Sequence, residues 1–342
     1  MKKKIIEKFL RNKTLLITGA TGTLGKEIIH YLLDNKIKLK KLIIFSRDEL
    51  KQVELEKLYQ EKKYKNLRFL IGDIRDKERL SFSLKKVDFV IHAAALKHVP
   101  VAEYNPIEFI KTNIIGTQNL VEACIENSVS KVVSLSTDKA SSPINLYGAT
   151  KLCSDKLMIN SNNITGRAKP IFSVVRYGNV FLSRGSVANE FSKQLNNYKT
   201  INVTDKEMTR FHIEISEAIN LIFFALINSK GGELYVPILP SFKIIDLAKA
   251  FTKNKINLIG KREGEKIHEE MISETEISSL AKVDKYYIVL SNLKNLNLKA
   301  IYRKYLVKKF SYKSYNSQQN NFLSITDLKK LLKKYNLISK FN

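Results

Sequence analysis

The sequence predicts an α/β protein whose main part is a Rossmann-like, doubly wound parallel sheet, followed by a smaller C-terminal α/β subdomain. Three observations lead to this prediction. Short apolar strands alternate with helical stretches along the first half of the chain. A glycine-rich turn joins the first of these strands to a helix, and a group of proton-transferring side chains follows a later strand. In open α/β sheets, both positions belong to the edge where ligands bind.

The first element is a strand, a turn and a helix in the order that nucleotide binding requires. It consists of Leu15-Leu-Ile-Thr-Gly-Ala-Thr-Gly-Thr-Leu-Gly25, and the next eight residues continue with helical periodicity. Gly19 would make the tight turn, and Gly22 would let backbone amides approach a pyrophosphate at the helix N-terminus. Gly25 would let the helix pack closely on the strand. We therefore expect a dinucleotide at this turn.

The next strand bears on which dinucleotide is bound. Residues 41–46 are predicted to form an apolar strand that is followed by Arg47. Proteins that bind NAD usually carry an acidic residue at this place, which holds the ribose 2′-hydroxyl, but this chain has Ser46-Arg47. A hydroxyl and a guanidinium suit a 2′-phosphate instead, which favours NADP. Asp48 and Glu49 follow directly and count against that preference.

Three more strands are predicted, at residues 67–73, 87–95 and 131–136, with a helix at 112–126 before the last of them. Right-handed crossovers between such strands build a parallel sheet. Asp73 could accept a hydrogen bond from an adenine amino group or could cap a helix, and the sequence favours neither. Ala93 offers backbone contact to a flat cofactor, and Lys97 follows at the lip of the cleft.

Residues 131–151 bring an acid, an amine and a tyrosine–lysine pair together. Asp138 and Lys139 come just after a predicted buried strand, at its carboxyl end. Tyr147 and Lys151 lie four residues apart, on one face of a predicted helix. A lysine ammonium on that face would lower the pKa of the Tyr147 phenol and make it a usable base. The simpler alternatives are a half-buried tyrosine beside a solvated lysine, and an Asp138 that merely caps the following turn.

Composition limits the other functional classes. The 342 residues fit one Rossmann unit plus a smaller domain. No apolar run approaches the roughly 18 residues of a membrane helix, so we expect no membrane association. The net charge of +26 is scattered along the chain, and Lys, Asn and Ile are enriched together, so we expect no nucleic-acid partner. Cys124 and Cys153 form neither a disulfide framework nor a metal-ligand spacing, which indicates no metal and a reducing cytoplasm.

Several motifs together resemble those of a known family. The glycine turn with Tyr147-x-x-x-Lys151 resembles the extended short-chain dehydrogenase/reductase superfamily. A narrower resemblance, from about residue 13 to about residue 334, is to the inverting UDP-N-acetylglucosamine 4,6-dehydratases, which open the pseudaminic acid pathway. It is carried by Phe45-Ser-Arg-Asp-Glu-Leu-Lys-Gln52, Gly72-Asp-Ile-Arg-Asp76, His92-Ala-Ala-Ala-Leu-Lys-His-Val-Pro100, Asn145-Leu-Tyr-Gly-Ala-Thr-Lys151, Arg176-Tyr-Gly-Asn-Val180, Ser183-Arg-Gly-Ser-Val187, Met208-Thr-Arg-Phe211 and Gly264-Glu-Lys-Ile-His-Glu269.

The resemblance implies oxidation at sugar C4, loss of water across C5 and C6, and return of hydride to C6. Tyr147 with Lys151 would act on O4, and Thr137 would belong to the same catalytic group. Retaining relatives carry Asp-Glu where this chain carries Asp138-Lys139. By resemblance Lys139 is the C5 base, an amine whose pKa burial can shift, and Asp138 is the acid, although the sequence alone does not fix which is which. The resemblance also implies tightly bound NADP and a homo-oligomer.

The expected division is an NADP-binding domain over residues 1–175 and a mainly nucleotide-sugar-binding region over 176–342, with some segments returning to the first domain. Arginines including Arg176 are expected to contact the pyrophosphate. The predicted cofactor residues are Gly19, Thr21, Gly22, Thr23, Leu24, Gly25, Ser46, Arg47, Asp48, Glu49, Leu50, Lys51, Asp73, Ile74, Ala93, Lys97, Tyr147, Lys151 and Val180. The predicted substrate residues are Lys97, Asn179, Arg184, Arg210, Arg262 and Glu265.

Two other classes of function stay open. One is a bifunctional dehydratase/5-epimerase or a 4-epimerase of UDP-N-acetylhexosamines, because the first oxidation is shared. The other is a non-enzymatic NADP sensor or scaffold on the same fold, because fold alone does not decide function. A scaffold would tolerate loss of the proton-transferring residues, yet Asp138, Lys139 and Tyr147 are all present.

Overall fold

The computed structural model of the protein describes residues 3–60, 64–165, 169–183, 185–252 and 255–337. Its strands in chain order are β1 (Thr14–Thr18), β2 (Lys41–Ser46), β3 (Leu67–Ile71), β4 (Phe89–His92), β5 (Lys131–Thr137), β6 (Ile171–Tyr177), β7 (Ile201–Val203), β8 (Thr209–Phe211), β9 (Glu233–Pro237), β10 (Ser241–Lys243), β11 (Ile256–Leu258), β12 (Glu270–Ile272), β13 (Leu280–Val283), β14 (Tyr286–Leu290) and β15 (Tyr315–Asn316).

The α-helices are α1 (Lys3–Leu10), α2 (Thr23–Asp34), α3 (Glu49–Gln60), α4 (Lys77–Ser83), α5 (Val99–Tyr104), α6 (Pro106–Phe109), α7 (Gly116–Glu126), α8 (Leu146–Asn160), α9 (Asn162–Thr165), α10 (Val187–Tyr198), α11 (Ile215–Asn228), α12 (Ile244–Phe251), α13 (Glu274–Ile277), α14 (Leu298–Ile301) and α15 (Ile325–Lys334). A π-helical segment, Ile110–Ile115, joins α6 to α7. Short 3₁₀ turns occupy Asp138–Ala140 and Arg303–Tyr305.

The main sheet of the described residues has nine strands in the order β13-β14-β9-β6-β5-β4-β1-β2-β3. The strands from β3 to β9 along this order run parallel to one another. At one edge β14 pairs antiparallel with β9, and β13 pairs antiparallel with β14. The chain starts in the centre at β1, winds outward to β3, and then winds the other way from β4. This reversal creates a crevice at the carboxyl ends of β1 and β4, where open sheets of this kind bind ligands. The predicted doubly wound parallel sheet is confirmed.

Helices cover both faces of this sheet. On one face α2, α3 and α11 bury their apolar sides with residues such as Ile28, Leu55 and Phe223. On the other face α4, α7 and α8 contribute Leu80, Leu120 and Met158. Strands buried on both faces explain the near-continuous apolar runs in the sequence.

The smaller α/β part is built mainly from residues after 176. Its own core joins α10, α12 and α15 through a cluster that includes Phe191, Leu247 and Leu332. Among the described residues of this half, three two-stranded sheets pair β10 with β8, β11 with β7, and β12 with β15. The segments containing β9, β13 and β14 instead extend the main sheet.

The most apolar helix is α11, and it lies against the main sheet. It packs on β5, β6 and α2, and residues such as Leu221 and Ile222 are fully buried. Within the described ranges, no helix combines the length and the apolar character that a membrane span needs.

Candidate functional site

The glycine turn is tightly packed at the carboxyl end of β1. Gly19 has a φ of 62°, and a Cβ at this position would lie 2.7 Å from the backbone of Ala94. A Cβ at Gly25, in α2, would lie 2.6 Å from the backbone of Ala20, so only a glycine at this position lets α2 lie this close to the turn. Gly22 precedes α2, and no side chain among the described residues caps this helix there. The first amides of α2 are therefore available to an anion such as a pyrophosphate.

Arg47 lies where the ends of β2 and β3 meet. Its Nη1 is 3.8 Å from Asp73 Oδ2, and the side chain is about half exposed. Asp48 is engaged by Lys51, which donates to it through both its amide and its ammonium. These hydrogen bonds from Lys51 lower the pKa of Asp48. Arg47 is thus the more accessible charge beside Ser46, as a 2′-phosphate site would require.

The other predicted cofactor residues differ in exposure. Thr21 and Ser46 are buried, and their hydroxyl oxygens lie 2.7 Å apart. Ile74 and Val180 are also buried, whereas Leu24 and Ala93 are half-buried. The exposed residues of this set are Thr23, Glu49, Leu50 and Lys97.

The helix-cap interpretation of Asp73 is wrong. The cap of α4 is Asp76, whose carboxylate accepts from the Arg79 amide at 2.9 Å. Asp73 accepts instead from the amide and the guanidinium of Arg75, at 3.0 Å and 2.8 Å. Burial would raise the pKa of Asp73, but the contacts with Arg75 outweigh burial and lower it. Asp73 is therefore an ionised acceptor beside Arg47.

A residue that sequence reasoning missed fixes the loop after β4. Asn113, in the π-helical segment, accepts from the Leu96 amide at 2.9 Å and donates to the Leu96 carbonyl at 3.0 Å. Its amide also donates to Thr150 in α8 at 3.0 Å. The loop that carries Ala93 and Lys97 is thereby tied to the helix that carries Tyr147. The π-helical distortion that places Asn113 here has no sequence signal of its own.

The catalytic candidates gather at the end of β5. Thr137 caps the 3₁₀ turn by accepting from the Lys139 amide at 3.4 Å, so the turn-capping role falls to Thr137 rather than to Asp138. Asp138 is fully buried and accepts from the Thr137 hydroxyl at 2.9 Å. Lys139 Nζ lies 3.1 Å from Asp138 Oδ1 and 3.2 Å from Glu269 Oε1. One ammonium therefore lies between two buried carboxylates.

Burial and charge act on this cluster in opposite directions. For Asp138, burial is the larger effect and raises its pKa despite the nearby Lys139. For Lys139, burial opposes the charge, but Asp138 and Glu269 outweigh it and raise the pKa of the ammonium. This corrects the expectation that burial would favour a neutral amine at Lys139. Lys139 is therefore held as a cation. Of the two carboxylates, Asp138 accepts a proton more readily, because its pKa is raised whereas that of Glu269 is lowered.

Tyr147 and Lys151 share one buried face of α8, which Asn145 caps by accepting from the Gly148 amide at 2.8 Å. Burial raises the pKa of Tyr147 to about 12, against the ammonium of Lys139 and a hydrogen bond with Thr137. The largest charge effect that lowers it therefore comes from Lys139, where the sequence suggested Lys151. Lys151 donates to the Leu135 carbonyl at 2.9 Å, and burial lowers its pKa.

A close helix contact brings Tyr147 beside Lys139. A Cβ at Gly148 would lie 2.3 Å from the Lys139 carbonyl oxygen, so only glycine lets α8 approach the turn after β5. Residues 264–270 cover the same region from the other half of the chain. Asn145 donates to the Gly264 carbonyl at 2.8 Å, and Lys266 donates to the Ser141 carbonyl at 2.6 Å. The two halves of the chain thus meet at the catalytic candidates.

Glu269 was not singled out from the sequence. It is 2% exposed and lies 3.2 Å from Lys139 Nζ and 3.6 Å from Arg210 Nε. Burial alone would raise the pKa of Glu269, but Lys139 and Arg210 lower it. The available signal was its place at the end of the Gly264-Glu-Lys-Ile-His-Glu269 motif. Its partner Lys139 is 130 residues away in sequence, so no local pattern joins them.

Arg176 is not a loop residue and does not suit a pyrophosphate contact. It belongs to β6, is 1% exposed, and pairs with Asp155 at 3.3 Å and with Glu276 at 2.9 Å. It also donates to the Met271 carbonyl. A strand residue with a fully buried, paired guanidinium has a structural role, so the expectation for Arg176 is wrong.

The remaining substrate candidates surround the cluster at different depths. Arg210, in β8, is 8% exposed and donates to the carbonyls of Thr209 and Ile267. Asn179 is exposed and follows Gly178, where a Cβ would be 3.5 Å from Asp138 Oδ2. Arg262 is exposed, and its amide donates to Glu265 at 3.4 Å. Lys97 is exposed on the loop after β4, and Arg184 lies outside the described residues.

Comparison with known proteins is consistent with this geometry. Residues 15–291 match the family described as polysaccharide biosynthesis protein. An inverting UDP-N-acetylglucosamine 4,6-dehydratase of Campylobacter jejuni is 50% identical over 284 residues, which are 82% of this chain and 84% of that protein. A UDP-glucose 4-epimerase of Rickettsia bellii is 39% identical over 94% of this chain and 95% of the relative.

A solved structure extends the likeness to the whole fold. The crystal structure of Pen from Bacillus thuringiensis is 36% identical and superposes with a TM-score of 0.85, covering 95% of this chain and 99% of Pen. The glycine turn, the Tyr–Lys pair and the Asp–Lys pair therefore belong to a chain that is similar to these relatives over most of its length. The chain belongs to the family of inverting UDP-N-acetylglucosamine 4,6-dehydratases within the extended short-chain dehydrogenase/reductase superfamily.

Proposed function

We propose that this protein is a 4,6-dehydratase of UDP-N-acetylglucosamine that inverts C5 and forms UDP-2-acetamido-2,6-dideoxy-β-L-arabino-hex-4-ulose. The observation that carries the proposal is the Lys139 ammonium, 3.1 Å from Asp138 Oδ1 at the end of β5. The name of the Campylobacter jejuni relative supports this substrate and this reaction. The same product would open pseudaminic acid biosynthesis.

The residues fit a nicotinamide dinucleotide. Any side chain at Gly19 would meet the Ala94 backbone, and the start of α2 offers its amides to a pyrophosphate. Ser46 and Arg47 favour NADP over NAD, because a guanidinium stabilises a 2′-phosphate. When bound, NADP would accept the hydride from sugar C4 and return it to C6.

The first proton transfer falls to Tyr147. As a phenolate it takes the proton of the sugar O4 hydroxyl. Burial disfavours that phenolate, and the Lys139 ammonium and the Thr137 hydrogen bond act against burial. The new ketone at C4 acidifies the proton at C5. Lys151, buried on the same helix face and held by the Leu135 carbonyl, keeps the phenol end of α8 in place.

The elimination falls to the Asp138–Lys139 pair. Transfer of one proton from Lys139 to Asp138 turns the ion pair into an amine and a carboxylic acid. The raised pKa of Asp138 favours this transfer, and the raised pKa of Lys139 opposes it. The amine removes the C5 proton, and the acid protonates the C6 hydroxyl, which leaves as water. Lys139 then returns a proton to C5 on the opposite face. The proton held by Tyr147 passes to Asp138 through Thr137, which hydrogen-bonds to both, and this restores the starting state.

The nucleotide sugar would lie between the two halves of the chain. We propose contacts with Lys97, Asn179, Arg210, Arg262 and Glu265, which border the cluster or lie on the loops around it. We also propose a contact with Arg184, which is outside the described residues. The packing of residues 264–270 on the turn after β5 supports this, because it brings the loop of Arg262 and Glu265 to the catalytic candidates.

Incubation of the NADP-loaded protein with UDP-N-acetylglucosamine tests the proposal. Mass spectrometry should show a product that has lost one water, and NMR should show a C6 methyl group beside a C4 ketone. A product with the mass of the substrate and an inverted C4 would contradict the proposal.

That contrary outcome is the second candidate function. A 4-epimerase of UDP-N-acetylhexosamines needs the C4 oxidation but not the elimination, and the name of the Rickettsia bellii relative, UDP-glucose 4-epimerase, supports C4 epimerisation. A 4-epimerase does not need the amine of Lys139 beside Asp138, so a Lys139→Met variant would keep C4 epimerisation. A bifunctional dehydratase/5-epimerase would instead give a mixture of C5 configurations from the same incubation.

A further inference from the structure

The carboxylate of Glu269 is buried without full pairing. Its Oε1 contacts Lys139 Nζ at 3.2 Å and Arg210 Nε at 3.6 Å. Its Oε2 is also buried and has no hydrogen-bond partner among the described residues. Burying a carboxylate in this way costs free energy, and nearby cations offset that cost only when the geometry is good. A carboxylate at this position therefore calls for a role beyond filling space.

The backbone of Glu269 is fixed from two sides. Its amide donates to Ser317 Oγ at 2.9 Å, and the Ser317 amide donates to the Glu269 carbonyl at 2.8 Å. Ser317 Oγ lies 2.7 Å from Thr209 Oγ1, next to Arg210 in β8. Ser317 is fully buried, so these bonds are shielded from water. They fix the backbone from which the Glu269 side chain reaches Lys139.

We propose that Glu269 is a positioning residue of the reaction: together with Asp138 it holds the Lys139 ammonium in place and links it to Arg210. The inference rests on the proposed dehydratase function, in which Lys139 must reach C5 of the sugar. The two carboxylates anchor Nζ at 3.1 Å and 3.2 Å, whereas Asp138 alone would leave the amine free to move around a single contact. Small displacements of a reacting group are costly, and about 1 Å can reduce the rate on the order of a hundredfold.

Glu269 also affects how readily Lys139 loses its proton. The charged and titratable groups that act on Lys139 are Asp138, Glu269, Arg210, Tyr147 and Lys266. Among these, Asp138 and Glu269 are the carboxylates in direct contact with Nζ. Removing the charge of Glu269 should lower the pKa of Lys139, and this holds whether Lys139 acts as base or as acid.

The test compares three variants. Glu269→Gln keeps the size and removes the charge, and Glu269→Asp keeps the charge on a shorter arm. Glu270→Gln is the matched control, because Glu270 is the next residue and accepts from Ser141 and Ser142 at 2.7 Å, away from Lys139. Thermal unfolding of each variant checks that it folds.

We expect Glu269→Gln to lower kcat about a hundredfold, with KM changed less than about threefold. The limb of the pH–rate profile that reports Lys139 should move to lower pH in Glu269→Gln. It should stay in place in Glu269→Asp and in Glu270→Gln. An unchanged kcat and an unchanged limb in a folded Glu269→Gln would overturn the inference.

A substrate-free readout separates this inference from the proposed function. Lys139 is 22% exposed, so competitive acetylation followed by peptide mass spectrometry can follow its reactivity against pH. Glu269→Gln should make Lys139 reactive at lower pH than in the wild-type protein, and Glu270→Gln should not. If the wild-type protein does not dehydrate UDP-N-acetylglucosamine, the proposed function fails while this measurement still decides whether Glu269 holds Lys139 as a cation. Equal reactivity profiles in wild type and Glu269→Gln would overturn the inference.

Discussion

Replacing Lys139 with methionine should destabilise the fold as well as stop dehydration, and the loss of stability should grow with pH. The substitution keeps the length of the side chain and removes the cation between Asp138 and Glu269, which are 0% and 2% exposed. Breaking a buried ion pair by removing one partner costs about 3–5 kcal/mol. Lys139 is partly exposed, so we expect the lower end, about 3 kcal/mol near neutral pH and above.

The pH dependence follows from the two carboxylates. In the wild-type fold the pKa of Asp138 is raised, and that of Glu269 is lowered by Lys139 and Arg210 against burial. Without Lys139 both folded pKa values rise, so the folded variant binds more protons than the wild-type fold does. A carboxylate whose pKa is higher in the folded state than in the unfolded state destabilises the fold at high pH. The destabilisation develops as the pH rises from the pKa in the unfolded state, about 4, through the pKa in the folded state. A rise of about one in a carboxylate pKa corresponds to at most about 1.4 kcal/mol, so the defect should be smaller at about pH 5 than at about pH 8 by up to that amount for each carboxylate.

Urea unfolding at the two pH values measures this directly. The matched control is Lys131→Met at the opposite end of β5, where the ammonium donates to the carbonyls of Ile227 and Ser229 rather than to a carboxylate. The control should show a smaller loss with little pH dependence. In the same preparation, Lys139→Met should bind NADP and show dehydration reduced by about a thousandfold or more. A stability loss that is equal at both pH values would refute the ion-pair reasoning.

Three further changes test other parts of the structure. Arg47→Ala should weaken NADP⁺ binding about 10- to 100-fold and leave NAD⁺ binding unchanged, because a charge-assisted contact is worth roughly 1.5–3 kcal/mol; calorimetry with both nucleotides checks this. Gly148→Ala should abolish activity and lower the unfolding temperature, since its Cβ would meet the Lys139 carbonyl oxygen at 2.3 Å; activity comparable to wild type would contradict this packing. Arg176→Met should lower the free energy of unfolding by about 3 kcal/mol, because it removes the ion-pair partner of Asp155 and Glu276, and KM for the nucleotide sugar should stay unchanged in the folded fraction.

The sequence predicts the sheet well because its evidence is local. The apolar run of β2 and the strand–glycine–helix order around Gly19 are readable from neighbouring residues, and the expected bounds 41–46 agree with the strand Lys41–Ser46. The antiparallel edge formed by β14 and β13 was not foreseen, because a short apolar strand does not reveal which neighbour it pairs with.

The site is harder to predict, because its contacts join distant segments. No sequence pattern indicates that Lys139 and Glu269 meet, and this contact adds to the effect of Asp138 in raising the pKa of Lys139. Arg176 shows the opposite problem, since its motif suggested a loop but the residue is buried in β6 with two acidic partners. Residue type indicated the chemistry available at the site, whereas burial and pairing decide which of these groups can perform it.

The configuration at C5 of the first-formed product tests the central claim most directly. UDP-N-acetylglucosamine is incubated with the protein in deuterated water, and the reaction is stopped before all of the substrate is converted. NMR then determines the configuration and the deuterium content at C5. A proton returned by Lys139 to the opposite face predicts deuterium at C5 with the L-arabino configuration. Deuterium at C5 with retained D configuration, or a C4 epimer that has lost no water, would contradict the assignment of Lys139 as the group that inverts C5.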